Sequence, residues 1–282
     1  MKSAQFQLHA AVDDRHWWFL ARRQIVRRLV EQVVPPSPDS TIIDVGCGTG
    51  GDVALLANDY RSIGIDVSAE AVELAAARWP QVQFLCGDSP ASVGDSIRDA
   101  RLVLFLDVLE HVPDDFWMLS QWLAATTAGA HFLITVPADP ALWSPHDEAY
   151  GHYRRYDRRR LVRLWDDLPV ATLLVSYFNS RLLPMVKLVR LLGRVRGQAS
   201  GRAGTDLRLP ISPVNRLLQR VFAGEAHRLS DALAGRRRGY AAGVSLVALL
   251  RRETGDIPVR RRPADVAPDC HVPVCSVSSA AC

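Results

Sequence analysis

The chain alternates short apolar runs with stretches of helical periodicity. Residues 16–33, HWWFLARRQIVRRLVEQV, repeat apolar side chains three and four apart and predict an amphipathic helix. Pro35, Pro36 and Pro38 end it. Five apolar runs follow, at 41–45, 62–65, 82–86, 102–106 and 132–136, and each reads as a buried strand. The segments near 51–58, 68–78, 90–98 and 114–127 read as crossover helices. Strands alternating with helices predict a parallel sheet covered on both faces, an α/β fold.

Beyond residue 150 the pattern changes. An Arg-rich stretch over 152–163 precedes a dense apolar run at 170–178 and an amphipathic helix over 181–194. Residues 197–204 are rich in Gly, Ser and Ala and read as a flexible link. Helical periodicity returns over 213–234, and 244–250 reads as a last strand. From residue 254 the chain is Pro-rich without periodicity, so a poorly ordered tail is expected over 254–282.

Composition narrows the class. The 282 residues are 48% hydrophobic and 23% charged, which excludes a disordered or collagen-like chain. The longest stretch without a charged residue, 116–138, contains Ser120, Gln121, Thr126, Thr127 and Gly129, and reads as helix, break and strand instead of a membrane span. The N-terminus has no apolar core of a secretory signal, so a cytoplasmic protein is expected. Cys47 and Cys86 fall in segments read as core. Cys270, His271, Cys275 and Cys282 do not have the spacing of a zinc ribbon or finger.

Charge is split along the chain. Residues 1–150 hold 10 Lys and Arg against 20 Asp and Glu, and residues 151–282 hold 24 against 10. All the basic residues except Lys2 and Lys187 are arginines. The basic half raises nucleic-acid binding as a candidate. It lacks an interleaved aromatic platform, and the chain has no Asn/Asp-Pro-Pro-aromatic or Pro-Cys motif of base methylation, so no nucleic-acid partner is expected. The Arg run 154–160 reads either as a solvated helix face or as a holder of phosphate or carboxylate.

The densest chemical signal is 42–51, IIDVGCGTGG, a strand running into glycines and then a helix. Gly46, Gly48 and Gly51 satisfy G-x-G-x-x-G as text, which also suits a dinucleotide dehydrogenase. Asp44 argues against that choice, because a carboxylate at this turn repels a pyrophosphate and attracts an ammonium or sulfonium. Asp66 ends the second strand, where it can accept two ribose hydroxyls, and Asp88 follows the third, placed for an adenine amino group. Such acids also serve as plain helix caps.

The series DVGCGTG, GIDVS, FLCGD and LDVLEHV resembles the class I S-adenosylmethionine-dependent methyltransferases, nearest the small-molecule branch of ubiquinone-biosynthesis type. The blocks HWWFLARR and GHYRRY resemble a bacterial subgroup of it. The resemblance implies a Rossmann-like, doubly wound, seven-stranded, mostly parallel sheet with the last strand antiparallel, an N-terminal covering helix and a C-terminal helical insertion. It implies one domain over 1–253, with a cap helix at 15–34, a cofactor-binding core at 40–140, an acceptor side at 141–243 and a last strand at 244–252. S-adenosyl-L-methionine is the implied cofactor and S-adenosyl-L-homocysteine the product. Asp44, Gly46, Cys47, Gly48 and Gly50 would hold the methionine part and the turn. Asp66 and Val67 would hold the ribose side, Gly87 and Asp88 the adenine, and Asp107 and Val108 would lie beside the methyl group. Arg22 or Arg23 would pair with the methionine carboxylate, with Trp18 walling the pocket. Trp17 and Trp18 also suit plain core packing.

Methyl transfer from a sulfonium is an in-line displacement, and a base is needed only when the acceptor carries a proton. His146 and His152 are the catalytic candidates, in the loop after the fifth strand. Each also suits a hydrogen-bonded structural role. His111, Tyr153, Arg154, Arg155 and Tyr156 are candidates for holding the acceptor. No metal is expected, since His146, Asp147, Glu148 and His152 have no recognised ligand spacing. The expected acceptor is a small molecule methylated on oxygen. The basic half favours an anionic or lipid-like one, with a peripheral membrane contact through 170–192 compatible. A binding protein without turnover stays an alternative. The sequence leaves oligomeric state open.

Overall fold

In the computed structural model, residues 3–196 and 209–261 are described. Their strands are β1 (Ser37–Val45), β2 (Tyr60–Asp66), β3 (Gln83–Cys86), β4 (Ala100–Leu106), β5 (His131–Pro137), β6 (Val170–Phe178) and β7 (Ser245–Arg252). They form one sheet in the order β3-β2-β1-β4-β5-β7-β6. The first five pair in parallel, and β7 runs antiparallel to both β5 and β6. This is the doubly wound, mostly parallel sheet that the alternation and the resemblance imply.

The helices are α1 (Ser3–Val12), α2 (Trp17–Val33), α3 (Gly51–Ala54), α4 (Ala69–Arg78), α5 (Asp115–Ala125), α6 (Pro145–Tyr150), α7 (Arg158–Val162), α8 (Leu183–Arg196), α9 (Ser212–Ala223) and α10 (Ala226–Leu233). None is long and apolar enough to cross a membrane. Alternate side chains of each strand leave on opposite faces, so Ile42 and Ile43 enter different cores. Ile43, Val45, Phe105 and Phe132 pack under α5. Ile42, Leu104 and Leu133 pack under α2, α9 and α10 through Ile25, Leu29 and Phe222.

Several expectations need correction. The helix expected over 51–58 ends at Ala54, because Leu56 and Ala57 donate to carbonyls three residues back and tighten the chain into turns. The segment 90–97 is a 3-10 helix broken at Gly94, whose φ is 56°. The periodic stretch 213–234 is two helices, parted where Glu225 is buried and accepts the Ser180 and Arg181 N–H groups, each at 2.8 Å. That single carboxylate ties the C-terminal helices to the end of β6. Cys86 is exposed, because β3 is the edge strand, whereas Cys47 is buried as expected. α1 was not expected, since its segment carries little helical periodicity. The link 197–204, Cys270, His271, Cys275 and Cys282 lie outside the described residues.

Trp122 on α5 is fully buried, edge-on to Phe105 with ring centroids 6.2 Å apart. Its indole N–H has no hydrogen-bond partner. Trp122→Ala is expected to lower stability by about 3–5 kcal/mol in denaturant unfolding. Trp122→Phe should cost much less, because it keeps the packing and removes an unsatisfied donor; equal losses in the two variants would overturn this account.

Candidate functional site

β1 and β4 end side by side, and the turn after β1 opens a cavity of about 270 Å³ between the sheet, α2 and the chain after β5. The turn is anchored from β2, since Gly46 and Cys47 both donate to the Ile65 carbonyl at 2.8 and 3.0 Å. Gly46 has φ 70°, and a Cβ there would sit 2.7 Å from a Val108 methyl carbon. At Gly51 a Cβ would lie 1.9 Å from Arg23 Nη2. A side chain at Gly51 would have to displace the guanidinium lying over the turn.

That guanidinium belongs to a buried ion network. Arg23 donates to the Asp13 carbonyl at 2.7 Å and to its carboxylate at 3.1 Å. The same carboxylate accepts Thr49 Oγ1 at 3.0 Å and two bonds from Arg78, at 2.6 and 3.0 Å. Burial pushes the Asp13 carboxyl up, but the Arg78 hydrogen bond and the charges of Arg23 and Arg78 outweigh it and hold it below the ordinary range. Arg22 hydrogen-bonds Asp52 and Asp107 and lies 4.5 Å over the Trp18 ring. Its Nε is buried without a hydrogen-bond partner.

The acids stand where the strand-end argument expects them. Asp44 is buried; burial and the charges of Asp52 and Asp66 push its carboxyl well above the ordinary range, with Arg22 opposing. Asp66 accepts Gly48 N–H and Ser68 N–H, each at 2.9 Å, which aims it at the turn and leaves a lone pair on each oxygen. Val67 beside it is 68% exposed. Gly87 donates to the Asp66 carbonyl at 2.9 Å, and Asp88 is exposed just beyond. Asp107 has φ 59°, a left-handed conformation uncommon outside glycine, and its carboxylate reaches Arg22. Gly46, Cys47, Gly48 and Asp107 line the cavity, whereas Asp44, Gly50, Asp66, Val67, Gly87, Asp88 and Val108 are not part of its lining.

The opposite wall comes from the chain after β5 and from α8. Asp147 accepts His152 Nδ1–H at 3.0 Å and the Ser144 N–H at 2.9 Å. Arg155 and Arg190 each approach it at 3.7 Å. Burial raises the Asp147 carboxyl, but the His152 hydrogen bond and these cations drive it below the ordinary range. The His146 ring is tilted 46° to that of Tyr150 with centroids 4.6 Å apart, and burial lowers its pKa to about 3, so the ring is neutral. His111 and His152 meet edge to face at 4.6 Å. His111, His146, His152 and Arg155 all line the cavity.

The remaining acceptor candidates point elsewhere. Arg154 is buried and donates to the carbonyls of Leu109, Val112 and Pro113. Tyr156 is fully buried with its hydroxyl on Asp115 at 2.8 Å. Tyr153 is partly buried, with the Arg154 guanidinium 5.6 Å from its ring, and is not part of the cavity wall. Arg154 and Arg155 are thus not a solvated helix face. Sequence reasoning missed Asp13, Asp52, Arg78 and Arg190 as site residues. Only Asp52 had a signal, an acid in the first turn of the helix after the glycines.

Asp13→Ala strips the counter-charge from Arg23 and Arg78, and is expected to destabilise the protein by about 3–5 kcal/mol. Because the Asp13 carboxyl is lowered on folding, its contribution is present above the ordinary carboxyl range and lost as pH falls through the lower folded value. The gap between wild type and variant in chemical denaturation should therefore be full at neutral pH and close under acid conditions. A gap independent of pH would contradict the network.

A family model described as a methyltransferase domain matches residues 17–183. Trans-aconitate 2-methyltransferase of Azoarcus sp. is 29% identical over 132 residues, 44% of this chain and 50% of that protein. The enzyme of the same name from Methylobacterium radiotolerans is 30% identical over 107 residues, 37% of this chain and 40% of that protein. The chain thus spans half or less of the length of these relatives. Among solved structures, the [4+2]-cyclase SpnF superposes with TM-score 0.53 at 16% identity, covering 86% of this chain and 84% of that one. Geranyl diphosphate C-methyltransferase of Streptomyces coelicolor, crystallised with Mg²⁺ and S-adenosyl-L-homocysteine, superposes with TM-score 0.50 at 15% identity, covering 80% of this chain and 74% of that one. These structural likenesses establish the fold. With α2, the glycine turn and the strand-end acids all inside the matched residues, the dinucleotide alternative falls away, and the chain belongs to the methyltransferase-domain family of S-adenosylmethionine-dependent enzymes.

Proposed function

We propose that the protein transfers a methyl group from S-adenosylmethionine to an oxygen of a small anionic acceptor, with a carboxylate the favoured group. The observation that carries this reading is one cavity with two unlike walls. Acids and Arg22 surround the glycine turn on one side, and Arg155, Arg190 and histidines face it on the other. The name of the sequence relatives, trans-aconitate 2-methyltransferase, supports a carboxylate acceptor.

The residues present fit the cofactor. Buried Asp44 lacks a neutralising cation of its own and suits an ammonium, and the orphaned Arg22 Nε suits a carboxylate. The lone pairs left on Asp66 suit the ribose hydroxyls, and Asp88 with Gly87 suits adenine at the open rim. When bound, S-adenosylmethionine supplies an activated methyl group, whose C–S bond breaks with the electron pair leaving on sulfur as the new O–CH₃ bond forms.

The protein's own task is alignment and exclusion of water. Arg155 and Arg190 hold the anion, and His111 shapes the same wall. A carboxylate has no proton to lose. A hydroxyl acceptor would give its proton to His152, whose Nδ1–H is fixed by Asp147 and whose Nε2 then carries the lone pair. Neutral His146 supports that ring from the side. A lipid-like acid is a second reading, favoured by exposed Leu188, Val189 and Leu191 on α8 with Ile211 and Leu217 at α9.

Asp66→Ala should weaken S-adenosyl-L-homocysteine binding at least about tenfold in calorimetry, since the ribose loses its acceptor. Unchanged affinity would sink the cofactor reading. Arg190→Ala should raise KM for a tricarboxylic acid at least about tenfold while leaving S-adenosyl-L-homocysteine affinity unchanged, because its anion contact is lost and the cofactor wall is intact. Radiolabelled methyl recovered in a polar acid pool supports the first acceptor reading; label confined to the lipid pool favours the second, and label in neither defeats both.

A further inference from the structure

The cavity holds a cluster that the cofactor reading does not use. Glu110 and His111 form the single 3-10 turn after β4, and His152 comes from the chain after β5. One carboxylate oxygen and one ring nitrogen from each histidine lie within 4.8 Å of one another. All three residues line the cavity. We propose that Glu110, His111 and His152 bind one divalent transition-metal ion, which presents its open positions to the acceptor oxygen.

Three observations carry the assignment. Glu110 is buried, and its Oε2 has no hydrogen-bond partner, an expensive state for a carboxylate with no ligand to meet. Asp147 engages His152 Nδ1 at 3.0 Å, so Nε2 is the ring nitrogen left for a ligand. A carboxylate behind a histidine is the arrangement that orients metal-binding imidazoles. The backbone holds the two contributing segments together, since Tyr153 N–H donates to the Glu110 carbonyl at 2.7 Å.

The donor set selects the ion. Two imidazoles and one carboxylate suit Zn²⁺, Mn²⁺, Fe²⁺ or Co²⁺ better than Mg²⁺ or Ca²⁺, which take oxygen ligands. Bonds of about 2.1 Å put ligand atoms at most about 4.2 Å apart, so the cluster closes by less than an ångström. Three protein ligands leave positions for an acceptor carboxylate or hydroxyl; with the ion on His152 Nε2 that ring would no longer serve as a base, and the ion itself would lower the pKa of a bound hydroxyl. The role toward the acceptor rests on the methyl-transfer reading, whereas the ion site itself does not. Neither segment shows a ligand spacing alone, which is why sequence analysis expects no metal.

The test uses the full chain, stripped with chelator, then titrated with Co²⁺ under visible absorption and displaced with Zn²⁺. One equivalent of Co²⁺ with the ligand-field bands of nitrogen and oxygen coordination is expected. Glu110→Gln and His152→Ala should each weaken binding at least about tenfold. Because Glu110 is buried, His111→Gln, at a partly exposed position, serves as the second variant and should do the same with an unchanged circular-dichroism spectrum. No Co²⁺ uptake, uptake unaffected by the substitutions, or the charge-transfer bands of cysteine thiolates would overturn the site. S-adenosyl-L-homocysteine binding is measured on the same samples. Its absence beside intact Co²⁺ binding would overturn the methyl-transfer reading and leave the ion site supported.

Discussion

Two adjacent arginines on α2 fix the relation between the N-terminal cap and the sheet. Arg22 and Arg23 are both buried, and burying a guanidinium is tolerable only with counter-charge in good geometry. Asp13, Asp52 and Asp107 provide it from three separate segments. The two arginines point into the same network from consecutive positions, so α2 has little freedom to slide or roll without stranding a charge. The requirement reaches back into the backbone: a side chain at Gly51 would have to displace Arg23, and Asp107 adopts a left-handed conformation on its way to Arg22. Arg22, Arg23 and Arg78 face four carboxylates once Asp44 is included, leaving one negative charge in excess if all ionise. The ammonium end of the proposed cofactor would favour the ionised form of Asp44 in so dry a place.

How much of this was legible follows from the range of each interaction. The strands 41–45, 62–65 and 102–106 and the acids Asp44, Asp66 and Asp107 are local signals, since a buried parallel strand is a continuous apolar run and its end is marked by the next polar residue. The edge strand β3 is weaker, and the exposure of Cys86 shows why: an edge needs no unbroken apolar run. Asp13 and Arg78 were invisible as site residues because they are 65 positions apart and meet only after α1 and α4 pack. Glu225, which parts α9 from α10, looks in sequence like a polar position on one long helix.

The histidine-bearing segment shows the same limit in sharper form. His146 and His152 were legible as chemistry, but their environment was not. Glu110 arrives from the end of β4, Arg190 from α8 and His9 from α1, so the character of the wall depends on elements up to some 180 residues apart. Burial there keeps His146 neutral, while Asp147 stays ionised under the combined pull of His152, Arg155 and Arg190. A neutral imidazole beside a fixed carboxylate–histidine pair is unsuited to act as a permanent positive charge.

The positive charge of the second half of the chain is smaller in effect than in count. Arg154 bonds the carbonyls of Leu109, Val112 and Pro113, Arg155 that of Leu142, Arg228 those of Arg238 and Gly239, and Arg252 those of Leu123 and Gly255. Irregular chain leaves carbonyls without ladder partners, and a planar group with five donors satisfies several at once. Arginine here is a cross-linker of loops, a use that lysine, with its compact head, performs poorly. Among the described arginines of this half, Arg155 and Arg190 line the cavity. Their field is therefore confined to a small space with low-dielectric walls, which favours a compact anion over an extended polyanion laid across the surface.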